Sequence, residues 1–123
     1  NFDDLGDEVW RVHFEAMQPV LELNNRIDNI EHLARQDAAF FALVYPSAVR
    51  EVLTHFLLVE RWDENEEGGD TPELWIRWAR EMIGDPVPAE ADDRAEWIKE
   101  VVAAFCGKHR VADKMRASRE EPA

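Results

Sequence analysis

The sequence predicts an all-α fold, a compact bundle of about five helices. Three observations carry that expectation. Apolar residues recur at intervals of three and four along most of the 123 residues, the spacing of one helical stripe. The interruptions fall at proline- and glycine-containing stretches, which punctuate helices. The best strand candidate, the apolar run from Ala38 to Val44, has no second strand-like segment to pair with.

The first third supplies Leu5, Val9, Val12, Ala16, Val20, Leu23, Ile27, Ile30 and Ala34 at that spacing. This predicts a long first helical region, kinked or split at Pro19, where the missing N–H and the ring oppose a straight helix. Ala38 to Val44 is apolar all round and reads as a second, buried helix. Tyr45-Pro46 is expected to end it, because a residue before proline avoids the α region. Pro46 then opens a third helix to about Trp62, with Val49, Val52, Leu53, Phe56 and Leu57 on its core face. Residues 63–70 combine an acid run with paired glycines and read as a loop. Thr71-Pro72-Glu73 is a strong helix start, and Gly84 closes that helix after Leu74, Trp75, Trp78, Ala79, Met82 and Ile83. Asp85-Pro86-Val87-Pro88 is an extended linker. Asp92 or Asp93 caps a last long helix carrying Ile98, Val101, Val102 and Phe105, which Gly107 ends or bends. Residues 1–107 therefore read as a single helical domain, and 108–123 as a basic C-terminal segment, partly helical or frayed.

Length and composition bound the function. A chain of 123 residues is the size of one domain and buries about two thirds of its unfolded surface. Hydrophobic residues at 46% oppose wholesale disorder despite 27 acids against 14 bases. A net charge of −13 argues against a general nucleic-acid surface, which needs clustered Lys and Arg. The charge is uneven. Residues 60–96 hold 13 acids and 4 bases, whereas 97–123 hold 4 acids and 6 bases. Direct nucleic-acid contact is thus not expected outside the 108–119 tail. The single cysteine, Cys106, allows no internal disulfide and fits a reducing, cytoplasmic setting. No apolar run approaches the roughly 18 residues of a membrane span, since the most apolar window, Ala38 to Val44, is seven residues long, and no charged-then-apolar signal segment is expected at the start.

Chemistry is thinly signposted. Asp28 and His32, and Glu51 and His55, are i, i+4 pairs on helical faces, and two such helices side by side could hold a metal. With so many acids, chance pairs of this kind are expected, so these four are weak metal candidates and no cofactor is assigned. Cys106 and His109 have ligand spacing, but a zinc site needs further ligands. Ser47 sits at an expected helix start, and Gly68-Gly69 lies among acids that repel phosphate. An enzyme is not indicated.

The five tryptophans stand out. Trp75 and Trp78 share a face, with Arg77 beside them, and one stripe cannot bury all of Leu74, Trp75, Ile76, Trp78, Ala79, Met82 and Ile83. Aromatic rings at helical spacing normally fill a core, but Trp and Arg also dominate binding hot spots. The leading expectation is a non-enzymatic interaction or regulatory module, self-associating or binding another protein through Trp75, Arg77, Trp78 and Trp62. The alternative is an acidic mimic of nucleic acid that occupies a DNA- or RNA-binding protein. The third is the carboxylate–histidine metal bundle.

Overall fold

The computed structural model describes residues 2–65 and 69–120. It is helix-rich, with five α-helices and a small three-stranded sheet. Beyond residue 30 the chain is helical as expected, but the two helices expected on either side of Pro46 are one; the first third is not helical as expected. In place of the helical region expected over 5–34, the chain forms β1 (Phe2–Asp3), β2 (Trp10–Glu15) and β3 (Gln18–Asn24), and only then α1 (Ile30–Gln36). The sheet order is β1-β3-β2, with β2 antiparallel to β3 and β1 parallel to it.

The reason lies in a second period hidden in the same residues. Trp10, Val12 and Phe14 alternate with Arg11, His13 and Glu15, and β2 is alternately half-buried and exposed along its length. These are β-branched and aromatic residues, which suit a pleated half-buried surface. Pro19, expected to bend a helix, lies opposite Phe14 in β3. The pairs at Glu15–Gln18 and His13–Val20 are the hydrogen-bonded ones, so Phe14–Pro19 is a non-bonded pair and the missing N–H is not required there. The connecting turn is Ala16-Met17, both at positive φ (49° and 67°), as a type I′ hairpin turn demands. It lacks the Asn-Gly signature that would have announced it. Left-handed alanine carries a strain of about 1 kcal/mol, so exposed Ala16→Asn is expected to raise stability by about 0.5–1 kcal/mol in urea denaturation. An unchanged midpoint would show that the turn is not strained.

One polar side chain organises this end. Asn24 is 2% exposed. Its Nδ2 donates to the carbonyls of Gly6 (2.9 Å) and Glu8 (2.7 Å), while its Oδ1 accepts from the Arg26 N–H (3.0 Å) and the Leu5 N–H (3.4 Å). The loop from β1 to β2 is thereby fastened to the end of β3.

α2 (Ala38–Thr54) is started by Asp37, whose carboxylate accepts from the Phe40 N–H at 2.8 Å. The helix continues through Pro46, contrary to the break expected there, and passes into a π-helical turn at His55–Val59. Proline inside a helix costs about 3 kcal/mol. Opposing that cost, α2 packs against β2, α4 and α5 and buries Phe40, Val44, Pro46, Val49, Val52 and Leu53. Because the helix is continuous, Ala38–Val59 makes 22 residues that contain an 18-residue window with a mean hydropathy of 1.3, long and apolar enough by length and composition alone to cross a membrane. No uninterrupted apolar run of that length is expected from the sequence, and the helix reaches it only with Arg50 and Glu51 inside it. Central helices of packed folds share this property.

α3 (Asp70–Ile83) ends at Gly84, whose φ of 75° places it in the left-handed C′ position and whose N–H bonds to the Arg80 carbonyl at 2.7 Å. α4 (Ala91–Lys108) starts after Glu90, ahead of the expected Asp92 or Asp93 cap, and runs through Gly107. The tail forms α5 (Val111–Glu120), which lies along α2, with the Lys114 ammonium 5.5 Å from the centre of the Phe41 ring. Residues 66–68 of the expected loop and 121–123 of the tail lie outside the described residues.

Two apolar clusters result. The larger joins α2, α3 and α4 through Val49, Leu53, Leu57, Ile76, Ala79, Trp97, Val101 and Phe105. The smaller joins β3, α1 and the start of α2 through Leu23, Ile30, Phe40 and Val44, and Tyr45 touches both.

Candidate partner-binding groove

α3 carries more apolar side chains than one stripe can bury, and the structure divides them. Ile76 and Ala79 are fully buried against α4. Trp75, Trp78 and Met82, one turn apart on the neighbouring face, are half-buried, and Leu74 is left 57% exposed. The Trp75 and Trp78 rings meet edge to face, with centroids 5.8 Å apart at 74°, and Trp78 makes a similar contact with Phe105 at 6.1 Å. Such contacts hold aromatic rings in fixed positions.

Between this face and α2 runs an open groove of about 320 Å³, lined by Tyr45 and Val49 of α2, Leu74, Trp75 and Trp78 of α3, and Phe105 of α4. All its walls are apolar or aromatic, and the Tyr45 hydroxyl is engaged by the Ala34 carbonyl at 3.3 Å. Arg77 lies exposed one turn from Leu74.

Trp62 belongs elsewhere. It is 8% exposed, packs in the larger core, and its Nε1 donates to Glu73 Oε1 at 2.8 Å, tying the end of the π turn to α3. The expected partner-binding set is thus divided: Trp75 and Trp78 face the groove, Arg77 lies near it, and Trp62 is a core residue. Tyr45, Val49 and Phe105 were read from the sequence only as a helix break and as core positions. No local signal marks them, because their convergence depends on α2 continuing through Pro46.

The metal candidates are not brought together. Asp28 lies in the turn before α1, and with His32 it borders a shallow surface depression beside Phe2 and Arg35. His55 instead stacks on Phe14 at 3.8 Å, and its Nε2 lies 3.4 Å from Glu60, not beside Glu51. His109 packs against Phe41 and Phe105, near half-buried Cys106. Among the described residues, no three His, Cys, Asp or Glu side chains form a cluster able to hold a metal ion.

The basic tail is partly satisfied within itself. Asp113 accepts from Arg110 at 3.0 Å and also pairs with Arg116. The Arg110 hydrogen bond, then the Arg116 charge, hold the Asp113 carboxyl below its ordinary value of 3.8. A depressed carboxyl contributes stability above its unfolded value and loses it as pH falls through the folded one. α5 is therefore expected to loosen first on acidification below about pH 4, read as amide exchange in 111–119 rising ahead of α4. Simultaneous loss of both helices would contradict this.

A larger cleft of about 600 Å³ lies between 57–65 and 87–94, with mixed polar walls. One of its cations, Arg94, is committed to structure: it donates to the carbonyls of Pro88 (2.8 Å) and Leu57 (3.0 Å) and so holds the linker against the π turn that follows α2. Comparison with protein-family models, curated proteins and solved structures finds no match, so the chain's own geometry carries the functional reading.

Proposed function

We propose that this chain is a non-catalytic, cytoplasmic protein-interaction module that captures an amphipathic helix of a partner protein in the α2–α3 groove. The observation that supports this reading is the groove itself: an open apolar channel walled by two helices, with Trp75, Trp78 and exposed Leu74 along one side. A third helix laid between two others seats its side-chain ridge in such a channel, with anchors at i, i+3 or i+4, and i+7. Trp is the residue type most enriched where binding energy concentrates. The flanks of the partner helix are basic in this reading, because the chain as a whole carries 27 acids against 14 bases, the cation beside the groove among the described residues being Arg77. Complementary charge raises encounter rates and selects partners.

The test uses a fluorescent helical peptide with leucines at i, i+4 and i+7 and lysine flanks. It is expected to bind the wild-type chain saturably, more weakly as salt rises. Leu74→Asp removes an exposed anchor and adds a charge to the groove wall. It is expected to weaken binding by about thirtyfold or more with no change in melting temperature. Equal affinity for the two proteins would remove the basis of the reading.

A further inference from the structure

A second surface lies on the sheet, outside the residues that line the groove. β2 is an edge strand in the order β1-β3-β2. The Asn24 N–H bonds to the Val9 carbonyl at 3.0 Å, and the antiparallel register continues from Trp10–Leu23 to Glu15–Gln18. Bonded pairs alternate in an antiparallel ladder. Residues 9, 11, 13 and 15 therefore turn their backbone groups to β3, and Trp10, Val12 and Phe14 turn theirs outward. Among the described residues, no backbone group bonds to that outer edge. Six regular residues without proline, glycine, lysine or a bulge form an edge that lacks the usual devices against pairing, apart from its charges.

The order of those charges selects the occupant. Exposed Arg11, His13 and Glu15 stand on one face of β2, and half-buried Trp10, Val12 and Phe14 on the other. An antiparallel twofold partner must match outward-bonding residues with outward-bonding residues. In the register that sets Val12 against Phe14 of the second copy, Arg11 falls opposite Glu15 of the second copy, and Glu15 opposite its Arg11. Both are non-bonded pairs, where side chains approach most closely. His13 meets its own counterpart on the axis. On the inner face, β-branched Val12 pairs with aromatic Phe14, a favourable cross-strand combination. Among the described residues these side chains make loose ion pairs, Arg11–Glu8 at 3.8 Å and His13–Glu15 at 3.5 Å, both largely exposed, and Arg11 stands opposite Glu22 of β3. β1, with two residues, is too short to offer the same edge.

The geometry points to a second copy of this chain as the ligand of the β2 edge, pairing antiparallel about His13 and joining two three-stranded sheets into one. The pairing is independent of the α2–α3 groove. A single strand pair buries less than a standard stable interface, so the dimer is weak and concentration-dependent.

The experiment is sedimentation equilibrium of the full chain from about 1 µM to 1 mM on wild type, Arg11→Glu, Glu15→Arg and the double variant. Arg11→Glu sets like charges across both symmetric pairs, and so does Glu15→Arg. Each is expected to weaken dimerisation by about tenfold or more, and the double variant restores it. An equimolar mixture of the two single variants is also expected to dimerise, because only in the mixed pair does an all-acidic edge meet an all-basic one at both positions. Leu74→Asp is expected to dimerise like wild type. A wild-type chain monomeric at about 1 mM would overturn the proposal. So would dimerisation indifferent to the single variants, or a double variant and mixture that stay monomeric. Loss of dimerisation in Leu74→Asp alone would place self-association in the groove instead.

Discussion

Asn24→Ala is expected to lower the unfolding free energy by about 2–4 kcal/mol, a large share of the stability of a domain this size. Asn24 is 2% exposed and satisfies two carbonyls and two N–H groups of the 5–8 segment and Arg26. Alanine leaves all four without this partner. The Gly6 and Glu8 carbonyls sit in exposed residues and can turn to water, whereas the buried Leu5 N–H loses its acceptor, and an unsatisfied buried polar group costs about 1–3 kcal/mol. Some of that returns if water enters the site, which is why the expected figure is below the sum. Asn24→Asp sharpens the point: it keeps the acceptor but sets a carboxylate against two carbonyl oxygens, so it is expected to destabilise at least as much. Urea denaturation followed by circular dichroism measures both. A loss under about 1 kcal/mol for both would show that the β1–β2 loop is not held by this side chain.

Trp78→Ala is the second large effect. Trp78 packs edge to face on Trp75 and on Phe105, which itself lies in the α2–α3–α4 core. Removing a half-buried indole that supports a core phenylalanine is expected to cost about 2–4 kcal/mol, roughly 10 °C in melting temperature for a chain of this length. Trp75→Ala removes a ring with fewer core neighbours and is expected to cost about half as much. The two tryptophans thus differ in degree: Trp78 is core with one side on the groove, and Trp75 is groove wall with one side on the core. Equal and negligible effects on stability would detach both from the core.

The helices α3 and α4 are legible because each rests on local signals. Pro72 in the first turn and Gly84 at the left-handed end bracket α3, and the Ile98–Val101–Val102–Phe105 stripe defines α4. The first third misleads for a physical reason. Val12 and Leu23 satisfy a three-and-four spacing, but Trp10, Val12 and Phe14 also satisfy a spacing of two, and pairing with β3 decides between them. The turn that makes pairing possible uses Ala16 and Met17, residues with no left-handed preference, so nothing local announces a hairpin. Pro46 misleads in the opposite sense, because local preference argues for a break while packing on both sides holds the helix together. The groove was half legible. A surplus of apolar residues on α3 pointed to Trp75 and Trp78, yet the opposite wall, Tyr45 and Val49, depends on the unbroken α2 and on tertiary placement that no spacing encodes. Trp62 illustrates the limit of composition. An aromatic residue at the edge of a stripe looks available until its indole N–H is seen bonded to Glu73.

The five indoles provide the most direct test of the groove as a helix-binding site. Each indole N–H gives a separate signal in a proton–nitrogen correlation spectrum. Titration with the lysine-flanked leucine peptide is expected to shift Trp75 and Trp78 progressively to saturation, while buried Trp62 and Trp97 stay in place. Shifts confined to other indoles, or no shift at saturating peptide, would contradict the account.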